Sequence, residues 1–207
     1  MSDMKTSLKR IDIPQIDVGA PSPLVLAEEN RLLFGYYLQT RAAGEPFDSC
    51  AIVSVGTYLA LKFGYPNDEA LGGHRYAPIG LRPYSAYEVL ESEWIREMKE
   101  ANWVHPHHTD RMFAYDRHFI FTFHDSVLEF VSSDDLAVSR SRGDLRELIC
   151  AEACQRASVQ RAETTRIAEE LADRRGPHRG ADGSRGTEKK HRGSGALGKL
   201  LQTLGLR

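Results

Sequence analysis

The stretch His118-Phe119-Ile120-Phe121-Thr122-Phe123, followed after three residues by Val127-Leu128-Glu129-Phe130-Val131, decides the fold. Phe119, Phe121 and Phe123 alternate with His118, Ile120 and Thr122, the period-two signature of a strand with two different faces. His124, Asp125 and Ser126 between the runs favour a turn, so the stretch reads as a hairpin. His118, Ile120, Thr122 and His124 are placed on the side opposite the Phe stripe.

Upstream, Leu24–Ala27 and Leu32–Thr40 flank Glu28, Glu29, Asn30 and Arg31 and read as another hairpin. Residues 49–63 are rich in Val, Ile and Tyr, with Gly56 in their middle marking a bulge or bend. Residues 64–84 hold four Gly and three Pro, a long ordered loop of the kind that often carries function. Ser85 and Glu88 have capping-box spacing, and Leu90, Trp94, Met98 and Ala101 then recur every three to four residues. This predicts an amphipathic helix over 85–101 with Trp94 buried against the sheet.

Residues 144–175 lack Gly and Pro and are rich in Ala, Glu, Arg and Leu. They predict a long helix starting near Asp134 or Asp144, with a thin apolar stripe and supportive Glu152→Arg156 and Glu170→Arg174 pairs. It is read as projecting from the body or as making an oligomer contact. The expected fold class is α+β: an antiparallel sheet with one packed amphipathic helix, then a long C-terminal helix and a disordered tail. The expected organisation is an irregular lead-in (1–22), broken by Pro14, Gly19, Pro21 and Pro23, an α+β body (23–133), the long helix (134–175) and a flexible basic tail (176–207).

A formal charge of -2 hides an asymmetry. Residues 174–207 carry nine Lys/Arg and two acids, whereas the 173 residues before them carry 18 and 27. An acidic body argues against broad nucleic-acid binding by the domain itself. The hydrophobic content of 41% and charged content of 27% exclude a disordered, fibrous or membrane-spanning chain. The start has no apolar signal-type core, and an odd count of three cysteines argues against a disulfide framework. A cytoplasmic location is therefore expected, with Cys150 and Cys154 as small buried hydrophobes.

Six of the eight histidines fall between residues 74 and 124. Histidine is the side chain most readily used as a ligand or proton carrier near neutral pH. His74, His118, His124 and Asp125 are the candidate catalytic set, and His74, His118 and His124 the candidate ligands of a divalent metal, with Asp68, Glu69, Asp110 and Glu129 near them in sequence. Three convergent ligands would suffice. No HExxH, CxxC pair, G-x-S-x-G, P-loop or G-x-G-x-x-G is present. The plain alternative is that the histidines are hydrogen-bonded packing and loop residues.

Leu197, Leu200, Leu201 and Leu204 follow one helix face beyond a Gly-rich basic linker. They suggest a tethered segment that folds as it docks on a protein partner; nucleic-acid contact by the basic tail is the alternative. The strings FGYPNDEALGGHRY (63–76) and HFIFTFHDSVLEFV (118–131), with SAYEVLESEWI (85–95) between them, resemble a bacterial protein family of uncharacterised function. The likeness covers about residues 23–132, and it implies no activity and no catalytic residue. Two functions stay open: a bacterial cytosolic accessory or binding module, and a small His/Asp-site enzyme performing metal-assisted hydrolysis or proton transfer.

Overall fold

The computed structural model describes residues 5–29, 31–39 and 49–174, with the side chains of 172–174 left aside. Two antiparallel sheets form the body. One has five strands in the order β1-β6-β7-β8-β5, and the other four in the order β2-β3-β4-β9. The strands are β1 (Ser7–Ile11), β2 (Leu24–Glu28), β3 (Arg31–Tyr37), β4 (Ser49–Val55), β5 (Tyr58–Gly64), β6 (Ala86–Leu90), β7 (Arg117–Thr122), β8 (Val127–Ser132) and β9 (Ala137–Arg142). The helices are α1 (Glu93–Ala101) and α2 (Leu145–Arg174).

The period-two reading of the Phe stripe holds. Phe119, Phe121 and Phe123 meet Leu128 and Phe130 of their own sheet and Phe34, Tyr36, Ala51 and Val53 of the other in one buried core. Phe34 and Phe121 touch edge to face with centroids 4.9 Å apart. The opposite face of the five-stranded sheet is covered by the 64–84 loop, whose Leu71, Tyr76 and Leu81 pack on Tyr87, Val89, Ile120 and Val127. The opposite face of the four-stranded sheet receives α2, where Leu145 and Ile149 pack on Leu33, Cys50 and Ile52. Gly35 permits that approach, because a Cβ there would lie 2.7 Å from the Ala51 carbonyl oxygen and 2.7 Å from Leu145 Cδ1.

Several expectations change. The lead-in contains β1, which pairs with β6; the prolines follow the strand instead of preventing it. The 49–63 run is two strands in different sheets, with Gly56 at the crossover. A Cβ on Gly56 would sit 2.0 Å from Asp134 Oδ2, the carboxylate that accepts the Thr57 N–H at 2.6 Å.

The predicted 85–101 helix is a strand and then a shorter helix. Strand β6 is buried on both faces, Ala86 in the core between the sheets and Tyr87 and Val89 under the 64–84 loop, so no polar alternation marks it. Glu91, at φ 51°, ends it. Ser85 caps nothing: its hydroxyl donates to the Pro83 carbonyl, while Glu88 takes a two-pronged bond from Arg117 and an ion pair from Lys9. The N-cap is Ser92, whose Oγ accepts the Ile95 N–H.

Of the two expected starts of the long helix the later one holds: it begins at Leu145, not near Asp134, with Asp144 Oδ1 accepting the Glu147 N–H at 3.0 Å. Residues 137–142 instead form β9, an exposed polar strand defined by pairing with β4 and not by its own hydropathy. Cys150 and Cys154 are exposed rather than buried, because Leu145 and Ile149 take the packed face. The Glu152–Arg156 pair forms at 2.6 Å.

The chain divides into compact units at Met1–Ala162 and Glu163–Arg207, and α2 runs across the division. In the described part of the second unit, Arg166 pairs with Glu163 and Glu170 along the helix. No helix among the described residues is long and apolar enough to cross a membrane. The basic tail, with Leu197, Leu200, Leu201 and Leu204, and the side chain of Arg174 lie outside the described residues.

Candidate functional site

The histidines of the predicted set fall into two separate clusters. The first is built on the outer face of the five-stranded sheet. Glu129 stands opposite Ile120 in the β7–β8 register, and His118 lies two residues from Ile120 on the same face. His118 Nε2 lies 3.0 Å from Glu129 Oε2, and His74 Nε2, brought in by the covering loop, lies 3.5 Å from Oε1. The far nitrogens are also occupied: His74 Nδ1 accepts the Tyr76 N–H at 3.3 Å, and His118 Nδ1 is 2.9 Å from Ser92 Oγ. Both imidazoles therefore present Nε2–H to the carboxylate.

Aromatic rings close this cluster. Trp94 and Tyr76 meet the His118 ring edge to face at 5.1 and 5.9 Å. Lys62 Nζ lies 3.7 Å from the centroid of the Trp94 ring, a cation–π contact beside the glutamate. His118 is fully buried. Burial by itself would raise the Glu129 carboxyl, but the hydrogen bonds from His118 and His74 outweigh it and bring it down to about 2. Burial pushes the Tyr76 phenol up to about 12.

The second cluster lies past the end of β7. His118 and His124 are six residues apart, about 20 Å at the rise of a strand. His124 Nδ1 is 3.0 Å from Asp68 Oδ2 and 2.9 Å from the Tyr84 hydroxyl, which donates a short bond to the same Asp68 oxygen. The Asp68 N–H donates to the His124 carbonyl at 2.8 Å, pinning the loop to the turn. The Tyr84 bond first, and then those of His124, hold the Asp68 carboxyl below its usual range against desolvation. Burial, reinforced by Asp68, pushes Tyr84 up to about 12. Tyr84 sits at φ 54°, a costly conformation for a tyrosine. Asp125 is almost fully exposed, with Oδ1 4.0 Å from His124 Nε2.

His74 and His118 thus converge, His124 joins Asp68 and Tyr84 instead, and Asp125 stays at the rim. Among the described residues, no group of three or more His, Cys, Asp or Glu is placed to hold a metal ion. The geometry explains this: the two Nε2 atoms of the first cluster are spent on different oxygens of one carboxylate and do not point to a common centre. The partners that sequence reasoning left out of the set are Glu129, Ser92, Asp68 and Tyr84. The signal for Glu129 was present, since Val127, Glu129 and Val131 alternate with Leu128 and Phe130 and so share the His118 face of the hairpin.

A third feature follows α1. Residues 102–116 form two short helical turns, Asn102–Val104 and Asp110–Phe113. They are tied by Asn102 Nδ2 to His108 Nδ1 at 3.0 Å, by the His108 N–H to the His105 carbonyl at 2.9 Å, and by Lys99 to Asp110 at 2.7 Å. Trp103 is nevertheless 64% exposed, Val104 91%, Met112 41% and Tyr115 73%. His105, His107 and Arg111 are exposed among them.

Comparison with protein-family models, with curated proteins and with solved structures finds no match to this chain.

Proposed function

We propose that this protein is a binding module, a bacterial accessory protein, in which the histidine cluster holds the fold and the 102–116 segment recognises a partner protein. The observation that carries the reading is the pairing of order and exposure in that segment. Its backbone is fixed by its own hydrogen bonds, yet it presents Trp103, Val104, Met112 and Tyr115 to solvent. Trp, Tyr, Met and Arg are enriched where proteins meet, and a rigid loop loses little conformational entropy on docking. The fitting partner therefore offers a complementary apolar patch.

The closed state of the first cluster supports the same reading. Both oxygens of Glu129 and both nitrogens of His74 and His118 are already engaged within the chain. Ser92 is at once the N-cap of α1 and the partner of His118, so the network ties loop, helix and sheet together.

A photo-crosslinking amino acid at position 103, and separately at the exposed Tyr65, tests the proposal in the full chain. One identified protein joined from position 103 but not from position 65 is the expected result. Equal labelling from both positions contradicts it.

A second reading rests on Asp68 and His124. Asp68 orients Nδ1 and leaves Nε2 toward solvent, the arrangement of a general base. Under this reading the protein is a small proton-transfer enzyme, and His124→Gln abolishes turnover while leaving the melting temperature within a few degrees.

A further inference from the structure

The loop that covers the five-stranded sheet holds a cavity of its own. Residues 64–84 fold into two short helical turns, Leu71–Gly73 and Ala77–Ile79, and pack on the sheet through Leu71, Tyr76 and Leu81. A cavity of about 430 Å³ opens within the loop, with Leu71, Ala77, Pro78 and Leu81 among its walls. That size and that mostly apolar lining suit a small molecule. Ordered loops of this length are uncommon in compact domains unless they carry a function.

The charged residues lining the cavity are Asp68 and Arg82, and both keep hydrogen-bonding capacity in reserve. Asp68 Oδ2 takes the bonds from Tyr84 and His124, whereas Oδ1 is buried with no partner among the described residues. A buried carboxylate oxygen left unsatisfied costs stability until a donor reaches it. Arg82 gives one N–H, from Nη1, to the Leu81 carbonyl at 3.1 Å and pairs with no carboxylate among the described residues. The rest of its guanidinium fork is unspent, and that fork matches a carboxylate. Two opposite charges that line one apolar cavity without meeting each other are complementary to a ligand that carries both.

We infer that this loop cavity binds a free α-amino acid with an apolar side chain, its ammonium group on Asp68, its carboxylate on Arg82 and its side chain against Leu71, Ala77, Pro78 and Leu81. A simple amine or a simple acid would leave one of the two charges unmatched, and that mismatch is what selects the zwitterion. The site is separate from the partner contact at residues 102–116 and needs no turnover at His124.

Amide NMR titration of the full chain with L-leucine, L-methionine and L-phenylalanine, each in turn, reads the site. At least one of them is expected to shift the Leu71, Gly72 and Leu81 amides with a Kd below about 1 mM. Its N-acetyl form, which lacks the ammonium, and its amide, which lacks the carboxylate, are each expected to bind at least roughly tenfold more weakly, as is the parent amino acid to Arg82→Gln. Asp68→Asn is expected to bind the amino acid and its N-acetyl form alike. A steric arm decides the matter if Asp68→Asn loosens the turn that Tyr84 and His124 share with it. A Cβ added at Gly72 or at Gly73 meets nothing within 4 Å, and Gly72 lines the cavity while Gly73 does not. Gly72→Leu is therefore expected to abolish binding and Gly73→Leu to keep it, both at the native melting temperature. No shift from any of the three amino acids up to about 10 mM overturns the inference. So does binding that is indifferent to blocking the amine or the carboxylate, or binding that survives Gly72→Leu.

Discussion

His118 Nε2 and Glu129 Oε2 are 3.0 Å apart on neighbouring strands, and this buried contact joins the α1 cap at Ser92 to the loop histidine His74. The carboxylate is held ionised inside the protein only because two imidazole N–H groups replace the water it lost.

The pH dependence of stability follows from that pair. The Glu129 carboxyl is at about 2 in the folded chain against 4.5 for the free group. Its contribution is complete above pH 4.5 and is lost as pH falls toward 2, a difference of about 3 kcal/mol. Denaturant titrations of the native chain and of Glu129→Gln at several pH values check this. The gap between the two narrows as the pH drops through that window; a gap independent of pH contradicts the assignment.

Trp94 lies under Lys62 and against His118, with 9% of its surface exposed. Trp94→Ala costs about 3–5 kcal/mol in urea unfolding, as large aromatic truncations do. A loss below about 1 kcal/mol would show that this face of α1 is not packed.

Gly35→Ala probes the docking of α2. The added methyl meets a backbone carbonyl and Leu145, both at 2.7 Å. Overpacking of this kind costs roughly 1–3 kcal/mol. The same substitution in a chain carrying Leu145→Ala should cost less, which a double-mutant cycle measures.

How much of this was legible from the sequence depended on whether the signal was local. The Phe stripe and the 127–131 run fixed the central hairpin, because one face of each strand is apolar and the other is not. The capping residue was misplaced by seven positions, from Ser85 to Ser92, because a doubly buried strand and an amphipathic helix both place large residues near one another. Strand β9 was invisible, since Ala-Val-Ser-Arg-Ser-Arg has no apolar period and its place is set by β4. Of the site, the histidines were visible as a crowd. Their division into a Glu129 pair and an Asp68–Tyr84 group depends on loop closure across tens of residues, which no spacing encodes.

The leucines of the C-terminal segment give an independent expectation. A peptide of residues 193–207 retains an identified partner on beads, and the version with Leu200→Asp and Leu204→Asp does not, if the helical face is the contact. Equal retention by both peptides, or retention of nucleic acid alone that falls steeply with salt, excludes it.

The exposed aromatic segment after α1 is tested most directly by affinity. With the protein cross-linked from position 103 in hand, calorimetry compares the native chain with Trp103→Ala and with Tyr65→Ala. Loss of an interface hot spot of about 2 kcal/mol or more weakens binding roughly 30-fold or more. The expected result is that loss for Trp103→Ala, an unchanged melting temperature, and native affinity for Tyr65→Ala. Native affinity in Trp103→Ala would contradict partner recognition by residues 102–116.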